Sequence, residues 1–370
     1  MHLWWSPPDS VSHLESELAR SLPGRTLLRP APGFVGVEAV EAAGPPPVMA
    51  FAAQALPEAA VVAIPSIRSV AEVLVDRIVD GFPEDGPWRM HVVPCFGQGT
   101  AGEHRCALIE EAVIEGLRKR RRSRLRNRLT EPVLVAPNES WIQLLLSSPD
   151  SGVLSVAGAP VAHAWRSGLV PVPAGRIPVA VDKSAPSRAF AKLVESEIRL
   201  GERIRPGETV VDLGACPGSW TYVAVRRGAR VISVDRTELR EDLMRNPGVM
   251  FHRGDAFSFQ PPEPVDWLVC DVIAAPDRSI GLALDWVRKG WARRFVVTIK
   301  FKGVEEYPKL DRLKTELAPL CAEFRLARLC ANKNEACVMG SCQLPDTEQD
   351  PSYGVAAGSC EVVLATEVRT

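Results

Sequence analysis

The chain has 370 residues, of which 46% are hydrophobic and 24% charged, a balance typical of globular domains and unlike a fibre or a disordered tail. Its formal net charge of −1 argues against a protein that coats nucleic acid through bulk charge, although a local basic patch is compatible with that total. The nine cysteines form no CxxC pair, which favours reduced thiols over a disulfide framework.

The amino-terminal stretch MHLWWSPPDSVSHLESE lacks the basic segment followed by an apolar segment that defines a signal peptide. No uninterrupted apolar run in the sequence reaches the length of about 18 residues that spans a membrane. We therefore expect a cytoplasmic protein that is not inserted in a membrane.

The front of the sequence divides by pattern into two regions. Residues 1–80 are rich in Ala, Pro and Val and predict an α+β region to which no role is assigned. Residues 81–170 predict a small α+β module. Its predicted elements are a strand at Trp88–Pro94, a helix at Gly102–Arg128 and strands at Pro132–Val135 and Trp141–Leu146.

The end of the predicted helix Gly102–Arg128 is strongly basic. Because arginine binds phosphates and stacks on exposed bases, this run predicts an RNA-binding surface with salt-dependent affinity; the alternative is a solvated helix face. The candidate RNA contacts are Arg118, Lys119, Arg120, Arg121, Arg122, Arg124, Arg126 and Arg128.

Two other features of this module are expected to be structural. Trp141 is interpreted as a core residue, with base stacking as the less favoured role. The spacing of His91, Cys95, His104 and Cys106 matches no common zinc site, so no metal is expected.

Beyond the proline-rich segment Pro171–Pro178, short apolar runs alternate with segments able to form helices. This alternation predicts an α/β domain over residues 171–370, with a mostly parallel sheet that carries helices on both faces. The predicted parallel strands are Thr209–Leu213, Arg230–Val234, Val249–Arg253, Trp267–Asp271 and Phe295–Phe301. An antiparallel pair at Phe324–Cys330 and Ala336–Cys342, a polar loop at 345–353 and a short strand at Glu361–Glu367 complete the prediction.

The first of these strands runs into a glycine-containing loop with the sequence DLGACPGSW. It is neither a Walker A loop nor GxGxxG, and it carries an acidic residue before its first glycine. Acidic residues also follow the next two strands, at Asp235 and Asp255. Because ligands bind at the carboxyl ends of parallel strands, this pattern suits the amine and ribose hydroxyls of S-adenosylmethionine. The alternative is three polar residues at ordinary strand ends.

The segment DLGACPGSWTY resembles the S-adenosylmethionine loop of FtsJ-type ribose 2′-O-methyltransferases, whose usual form is DLGxxPGGW, with Ser219 at the second glycine. The resemblance implies a Rossmann-like domain that binds this cofactor. The implied cofactor contacts are Ser187, Asp212, Gly214, Ala215, Pro217, Gly218, Trp220, Asp235, Asp255 and Asp271.

Four further positions match the catalytic residues of the same family. APSRAFAKL resembles its SRxxxKL segment and places Lys192, WLVCD places Asp271, FVVTIKF places Lys300, and NEACV places Glu335. A ribose hydroxyl is a poor nucleophile, so attack on a sulfonium methyl group requires proton removal and tight positioning. We expect Lys300 to be the base or the activator of the 2′-oxygen, with Lys192, Asp271 and Glu335 in support. The alternative for each lysine is a structural side chain that extends to solvent.

Residues 130–340 in particular resemble the bacterial large-subunit ribosomal RNA ribose methyltransferase M family. That family places a THUMP-type RNA-binding module before an FtsJ-type domain and methylates a cytidine 2′-hydroxyl of 23S rRNA, so rRNA or a large-subunit assembly particle is the implied partner. Three alternatives stay open, namely another RNA such as tRNA, an inactive RNA-binding assembly factor, and a small-molecule O-methyltransferase. Base methylation is disfavoured because CDVIAAP replaces an NPPY-type turn and neither Cys216 nor Cys270 lies in a nucleophile motif.

Overall fold

The computed structural model describes residues 1–39, 46–132, 138–329 and 334–343. The chain forms two compact units, Met1–Arg176 and Ile177–Thr370. Most of the strand predicted at Pro132–Val135, the loop at 345–353 and the strand at Glu361–Glu367 lie outside the described residues. No described helix is both long enough and apolar enough to cross a membrane.

The first unit consists of two sheets and the helices packed on them. Its helices are α1 (Val11–Ser21), α2 (Ile67–Gly81), α3 (Glu103–Arg120) and α4 (His163–Arg166). Its strands are β1 (His2–Trp5), β2 (Leu28–Ala31), β3 (Phe34–Val37), β4 (Gln54–Leu56), β5 (Ala59–Ala63), β6 (Trp88–Pro94), β7 (Arg128–Leu129), β8 (Ser140–Ser148) and β9 (Ser151–Ala157).

Among the described residues, these strands form one sheet with the order β2-β3-β1-β4 and another with the order β5-β9-β8-β6-β7. Strand β5 pairs antiparallel with β9 along its whole length. The second sheet therefore contains strands from both sides of residue 80, where the sequence pattern had placed a border between two regions.

Helix α3 ends earlier than its sequence predicts. Its apolar residues recur every three or four positions, at Cys106, Ile109, Val113 and Leu117, and pack in one core with α2. The helix stops at Arg120, and residues Arg122–Asn127 form a 3-10 turn. The prediction that the helix reaches Arg128 is therefore wrong.

The reason for the early end lies in one arginine of the basic run. The guanidinium of Arg124 is buried and donates to the carbonyls of Val79 at 2.9 Å and Phe82 at 2.8 Å, where α2 ends. Carbonyls in the last turn of a helix have no partner within it, so they accept this charged donor readily. The sequence showed a basic residue here, but not that its charge is used inside the fold.

The second unit is an α/β domain built on one seven-stranded sheet, counted over its described residues. Its helices are α5 (Phe190–Leu200), α6 (Ser219–Arg226), α7 (Glu241–Met244), α8 (Pro276–Arg288) and α9 (Lys309–Leu317). Its strands are β10 (Thr209–Leu213), β11 (Arg230–Asp235), β12 (Val249–Arg253), β13 (Val265–Cys270), β14 (Ala292–Lys300), β15 (Cys321–Ala327) and β16 (Glu335–Cys342).

Over its described strands, the sheet has the order β12-β11-β10-β13-β14-β16-β15. Strands β10 to β14 pair in parallel, and β16 runs antiparallel to both of its neighbours. This confirms the predicted α/β class with a parallel sheet. Because the strands are parallel, Leu213, Asp235, Cys270 and Lys300 end at one edge of the sheet, which is where such folds bind ligands.

Candidate active site

The loop between β10 and α6 follows the backbone of its neighbours closely. Gly214 and Gly218 both have positive φ, at 75° and 105°, a backbone conformation that residues with a side chain rarely adopt. A Cβ at Gly214 would collide with Val272, and one at Gly218 would collide with Leu243. Gly214 therefore lets the loop lie directly against the segment that follows β13, and Gly218 lets it lie against α7.

Asp212, at the end of β10, is held inside the domain. Its carboxylate is buried and accepts a hydrogen bond from the Thr221 hydroxyl at 2.6 Å, and that hydroxyl lies 2.8 Å from the Ser233 hydroxyl. Burial raises the pKa of Asp212 to about 7, although the Thr221 hydrogen bonds oppose the shift. Sequence reasoning missed Thr221 and Ser233, because a hydroxyl in a helix or strand carries no distinctive spacing.

Asp235 and Asp255 lie at the ends of the next two strands, as their positions predicted. Asp235 accepts from the amide of Cys216 at 3.1 Å, which fixes its carboxylate against the glycine loop. The amide of Phe257 and the guanidinium of Arg236 hold Asp255 at 3.0 and 2.7 Å and lower the pKa of its carboxyl group. Asp235 is therefore oriented beside the loop, and Asp255 is held by its own turn and by Arg236.

The remaining predicted cofactor contacts occupy different environments. The hydroxyl of Ser187 lies 2.7 Å from that of Ser219, at the start of α6. Trp220 is buried and donates its indole N–H to the carbonyl of Ala189 at 2.8 Å. Ala215 is buried, whereas Pro217 is exposed in the loop. The indole of Trp220 therefore packs in the core, and only the backbone at that position is available to a ligand.

The four predicted catalytic side chains form one cluster. Lys192 Nζ lies 2.5 Å from Glu335 Oε1 and 3.2 Å from Asp271 Oδ2. Lys300 Nζ lies 2.9 Å from Asp271 Oδ1, 3.0 Å from the Asp271 carbonyl and 4.0 Å from Glu335 Oε2. Two ammonium groups thus share two carboxylates, and the cluster is close to neutral overall.

Four separate elements bring this cluster together. Lys192 lies on α5, Asp271 follows β13, Lys300 ends β14, and Glu335 begins β16. In the antiparallel pairing of β14 with β16, Glu335 is the direct cross-strand partner of Lys300. The local match NEACV therefore lies at the sheet position that faces the second lysine.

A threonine that sequence reasoning missed also holds the cluster. The Thr298 hydroxyl donates to Asp271 Oδ1 at 2.6 Å. Thr298 and Lys300 are two residues apart on β14, so they lie on the same face of the strand. That alternation in FVVTIKF was the available signal. Thr298 fixes the rotation of the carboxylate between the lysines.

The two lysines have different environments. Burial lowers the pKa of Lys192, but the nearby Asp271 and Glu335 outweigh it, and the net shift is upward. The side chain of Lys192 is 10% exposed and that of Lys300 is 24% exposed. Lys192 therefore stays an ammonium group inside the cluster, and Lys300 is the amine that reaches the open side.

The thiols near this edge of the sheet are not activated. Burial raises the pKa of Cys270 to about 12 and raises the pKa of Cys216 as well. A nucleophilic cysteine requires a lowered pKa. Neither thiol is thus prepared to attack a base, which agrees with the absence of a nucleophile motif around them.

The basic run in the first unit is divided between structural and exposed residues. Arg124 is buried in the fold, which corrects its prediction as an RNA contact, and Arg128 pairs with Glu110. The side chains that pair on the surface are Arg118 and Lys119 with Glu115, and Arg120 with Asp76. Of the basic run, all of which the structure describes, the exposed side chains that form no ion pair with described residues are Arg121, Arg122 and Arg126.

Trp141 is almost fully buried, with the guanidinium of Arg89 at 5.3 Å from its ring centre. This environment is that of a core residue, as the sequence analysis favoured.

Comparisons with known proteins show which family the second unit resembles. Residues 185–349 match the family model of the FtsJ-like methyltransferases. Ribosomal RNA large subunit methyltransferase M of Laribacter hongkongensis is 43% identical over 165 residues, which is 43% of this chain and 45% of that protein. The protein of the same name from Halorhodospira halophila is 40% identical over 179 residues, or 48% of this chain and 50% of that protein. The chain spans about half the length of these curated relatives.

Among solved structures, TrmN from Thermus thermophilus covers 92% of this chain and 99% of its own, at 16% identity and a TM-score of 0.32. That score is too low for an argument about function.

Residues 185–349 of the second unit are thus similar to the FtsJ-like methyltransferases, a class of enzymes whose methyl donor is S-adenosylmethionine. The similarity to proteins named ribosomal RNA large subunit methyltransferase M, expected from the motifs, is confirmed over 43–48% of the chain.

Proposed function

We propose that this protein is an S-adenosylmethionine-dependent RNA 2′-O-methyltransferase that acts on 23S rRNA, with a cytidine ribose as the acceptor. The observation that carries the proposal is the cluster of Lys192, Asp271, Lys300 and Glu335, with all four side chains in contact. Base methylation uses a different set of groups, and the buried Cys270 thiol cannot supply it. A lysine beside a carboxylate is suited to a hydroxyl acceptor.

The residues around the glycine loop fit S-adenosylmethionine. Gly214 and Gly218 let the loop pack closely on Val272 and Leu243 at the ends of the parallel strands, and Asp235 and Asp255 could accept from ribose hydroxyls and an adenine amino group. Asp271, which follows the adjacent strand, lies between this loop and the lysines. The cofactor supplies an electrophilic methyl group on a positively charged sulfur.

The lysines divide the chemistry between them. As the 2′-oxygen forms its bond to the methyl carbon and the carbon–sulfur bond breaks, the hydroxyl proton is lost. Lys300 accepts that proton when its amine is neutral; when it is an ammonium group, it donates a hydrogen bond to the oxygen and the hydroxyl proton passes to solvent water. Lys192 keeps its proton and holds Asp271 and Glu335 in place. Thr298 prevents Asp271 from rotating away from Lys300.

Two observations favour RNA as the substrate over a small molecule. The relatives that match the catalytic half carry ribosomal RNA in their names. The first unit also presents Arg121, Arg122 and Arg126 without ion pairs to neighbouring described residues. Exposed arginines of this kind bind phosphates and stack on unpaired bases.

The test is to identify the methylated product. The purified protein is incubated with labelled S-adenosylmethionine and rRNA from cells that lack the protein, and the RNA is digested to nucleosides for mass spectrometry. We expect a ribose-methylated cytidine that is absent when the Lys300→Ala variant is used. A methylated base would overturn the assigned reaction. Transfer to tRNA alone would keep the reaction and overturn the rRNA target, and no transfer to any RNA would favour a non-catalytic role.

A further inference from the structure

The loop between β13 and α8 carries an apolar side chain in an unusual place. Ile273 is 92% exposed, the most exposed large hydrophobic side chain in the part of the chain that the structure describes. It lies two residues after Asp271, whose carboxylate contacts both lysines. A single exposed apolar residue is unremarkable in itself, but this one is beside the reacting groups.

The fold does not require an apolar residue at this position. The preceding residue, Val272, is buried and fills the space beside Gly214. Pro276, three residues further on, is buried at the first position of α8, where proline is favoured. These two residues anchor the loop at both ends, and Ile273 extends to solvent between them.

Two exposed arginines lie close in sequence to the cluster residues and to this loop. Arg188 lies four residues before Lys192, on the turn that leads into α5, and Arg278 lies on the first turn of α8. Both are exposed, and neither forms an ion pair with the residues that the structure describes. Arg278 instead stacks over the Phe257 ring, with 3.8 Å from its guanidinium carbon to the ring centre. Arg278 also interacts electrostatically with the Asp255 carboxylate. The cluster of lysines and acids is itself close to neutral, so Arg188 and Arg278 add positive charge beside it.

We infer that Ile273 is the contact for the base of the nucleotide that is methylated, and that Arg188 and Arg278 bind the phosphates beside it. This inference rests on the proposed function and names how the acceptor is held. An unstacked base has an apolar face and polar edges, and its ribose and phosphates lie to one side. With the base packed on Ile273, the 2′-hydroxyl is directed toward Lys300, and the flanking phosphates meet the arginines.

The occupant is an unpaired nucleotide of a single strand, because only an unstacked base exposes its face to a side chain. A protein partner would need acidic groups to pair with the two arginines, and nothing at this site selects for such a partner. A bound cofactor alone would cover Ile273 but would leave the two arginines without a bound group. Weaker binding of S-adenosylhomocysteine in the test below would identify the cofactor as the occupant, and an unchanged KM for the RNA would leave a protein partner.

The test compares Ile273→Ala with Met250→Ala, using an unmodified 23S rRNA transcript as the substrate. Met250 is 66% exposed on β12, the strand at the far edge of the sheet, and serves as a matched exposed apolar side chain. KM and kcat are measured for the RNA, and the Kd of S-adenosylhomocysteine is measured by calorimetry. We expect Ile273→Ala to raise KM for the RNA about tenfold, with the Kd of S-adenosylhomocysteine unchanged. Met250→Ala should change neither quantity.

Two further variants test the phosphate contacts. Arg188→Gln and Arg278→Gln should each weaken RNA binding and reduce the slope of log K against log salt by about 0.7, the value for one contact to a single strand. An unchanged KM in Ile273→Ala would overturn the inference while the wild-type activity upholds the proposed function. Equal weakening of S-adenosylhomocysteine binding would assign Ile273 to the cofactor site instead. A wild-type protein that methylates no RNA would overturn the proposed function, and the inference with it.

Discussion

Each unit contains a cluster of charged side chains, and the two clusters differ in exposure. In the first unit, Arg89 and Glu139 form an ion pair at 2.7 Å and are 2% and 0% exposed. Arg89 also donates to the carbonyl of Pro171, and the neighbouring His91 has its pKa lowered to about 3 by burial and by the charge of Arg89. In the second unit, the four catalytic candidates lie at the open edge of a sheet. Similar residue types thus serve packing in one unit and, by our proposal, chemistry in the other.

The difference teaches how to separate the two roles. A buried ion pair is surrounded by fixed partners and cannot meet a substrate, so its removal is felt in folding. A cluster that leaves one amine partly exposed, as Lys300 is, has a position open to a reacting group. The predictions below test this contrast from its largest expected effect to its smallest.

The largest effect is expected at Lys300. Replacement by alanine should lower kcat for RNA methylation by about 10²- to 10⁴-fold, because a positioned proton acceptor contributes on that scale. Thermal stability should change little, since this side chain is partly exposed. Single-turnover methyl transfer measures the chemical step directly. Lys302→Ala, two residues further along and fully outside the cluster, is the matched control and should keep near wild-type kcat. Equal loss in both variants would contradict the role of Lys300.

The second effect concerns the buried pair of the first unit. Arg89→Met should destabilise the protein by about 3–5 kcal/mol, because it leaves the Glu139 carboxylate buried without its partner. Urea unfolding monitored by circular dichroism measures this loss. The double variant Arg89→Met, Glu139→Leu should recover most of it, since no buried charge then remains. A double variant as unstable as the single one would show that the pair itself contributes the stability.

The contrast also explains which parts of the molecule the sequence could predict. Alternating strands and helices predicted the parallel sheet, and the resemblance to the motifs of the FtsJ-type family implied the four residues of the cluster. The end of α3 and the role of Arg124 were mispredicted for a physical reason. Whether an arginine faces water or the carbonyls at the end of α2 depends on a long-range contact that local spacing does not encode.

The residues that position the site were likewise hidden from sequence reasoning. Thr298 and Thr221 each donate one hydrogen bond to an acid whose motif was recognised, but a hydroxyl has no signature of its own. The burial of Trp220 was also hidden, because the motif names the position and not the direction of the indole.

The third prediction concerns Asp212, which is buried in the second unit, and its effect on the free energy of unfolding. Its pKa is raised from 3.8 to about 7, so the folded protein holds this proton more tightly than the unfolded chain does. The stability that the proton contributes is therefore fully present below pH 3.8 and is lost as the pH rises through about 7. Asp212→Asn cannot ionise and still accepts from Thr221. The variant should gain on the wild type by roughly 3 kcal/mol between pH 4 and 8. Parallel stability curves from urea unfolding at several pH values would contradict this.

The smallest effect is expected in RNA binding, where unpaired and paired arginines of the first unit are compared. The triple variant Arg121→Gln, Arg122→Gln, Arg126→Gln should weaken RNA binding and lower the slope of log K against log salt by about 2, since three phosphate contacts to a single strand would be removed. Filter binding at salt concentrations from about 50 to 200 mM, over which such affinities fall steeply, measures the slope.

The matched control neutralises an equal number of charges that already have acidic partners, Arg118, Lys119 and Arg120. Their pairing with Glu115 and Asp76 is exposed and therefore weak, so these residues still attract phosphate at long range, but each must first leave its partner to bind one. The control variant should therefore lower the slope by less than the triple variant does. Equal slopes in the two variants would mean that the whole basic run acts as a diffuse field, and that ion pairing on this surface does not select which side chains bind RNA.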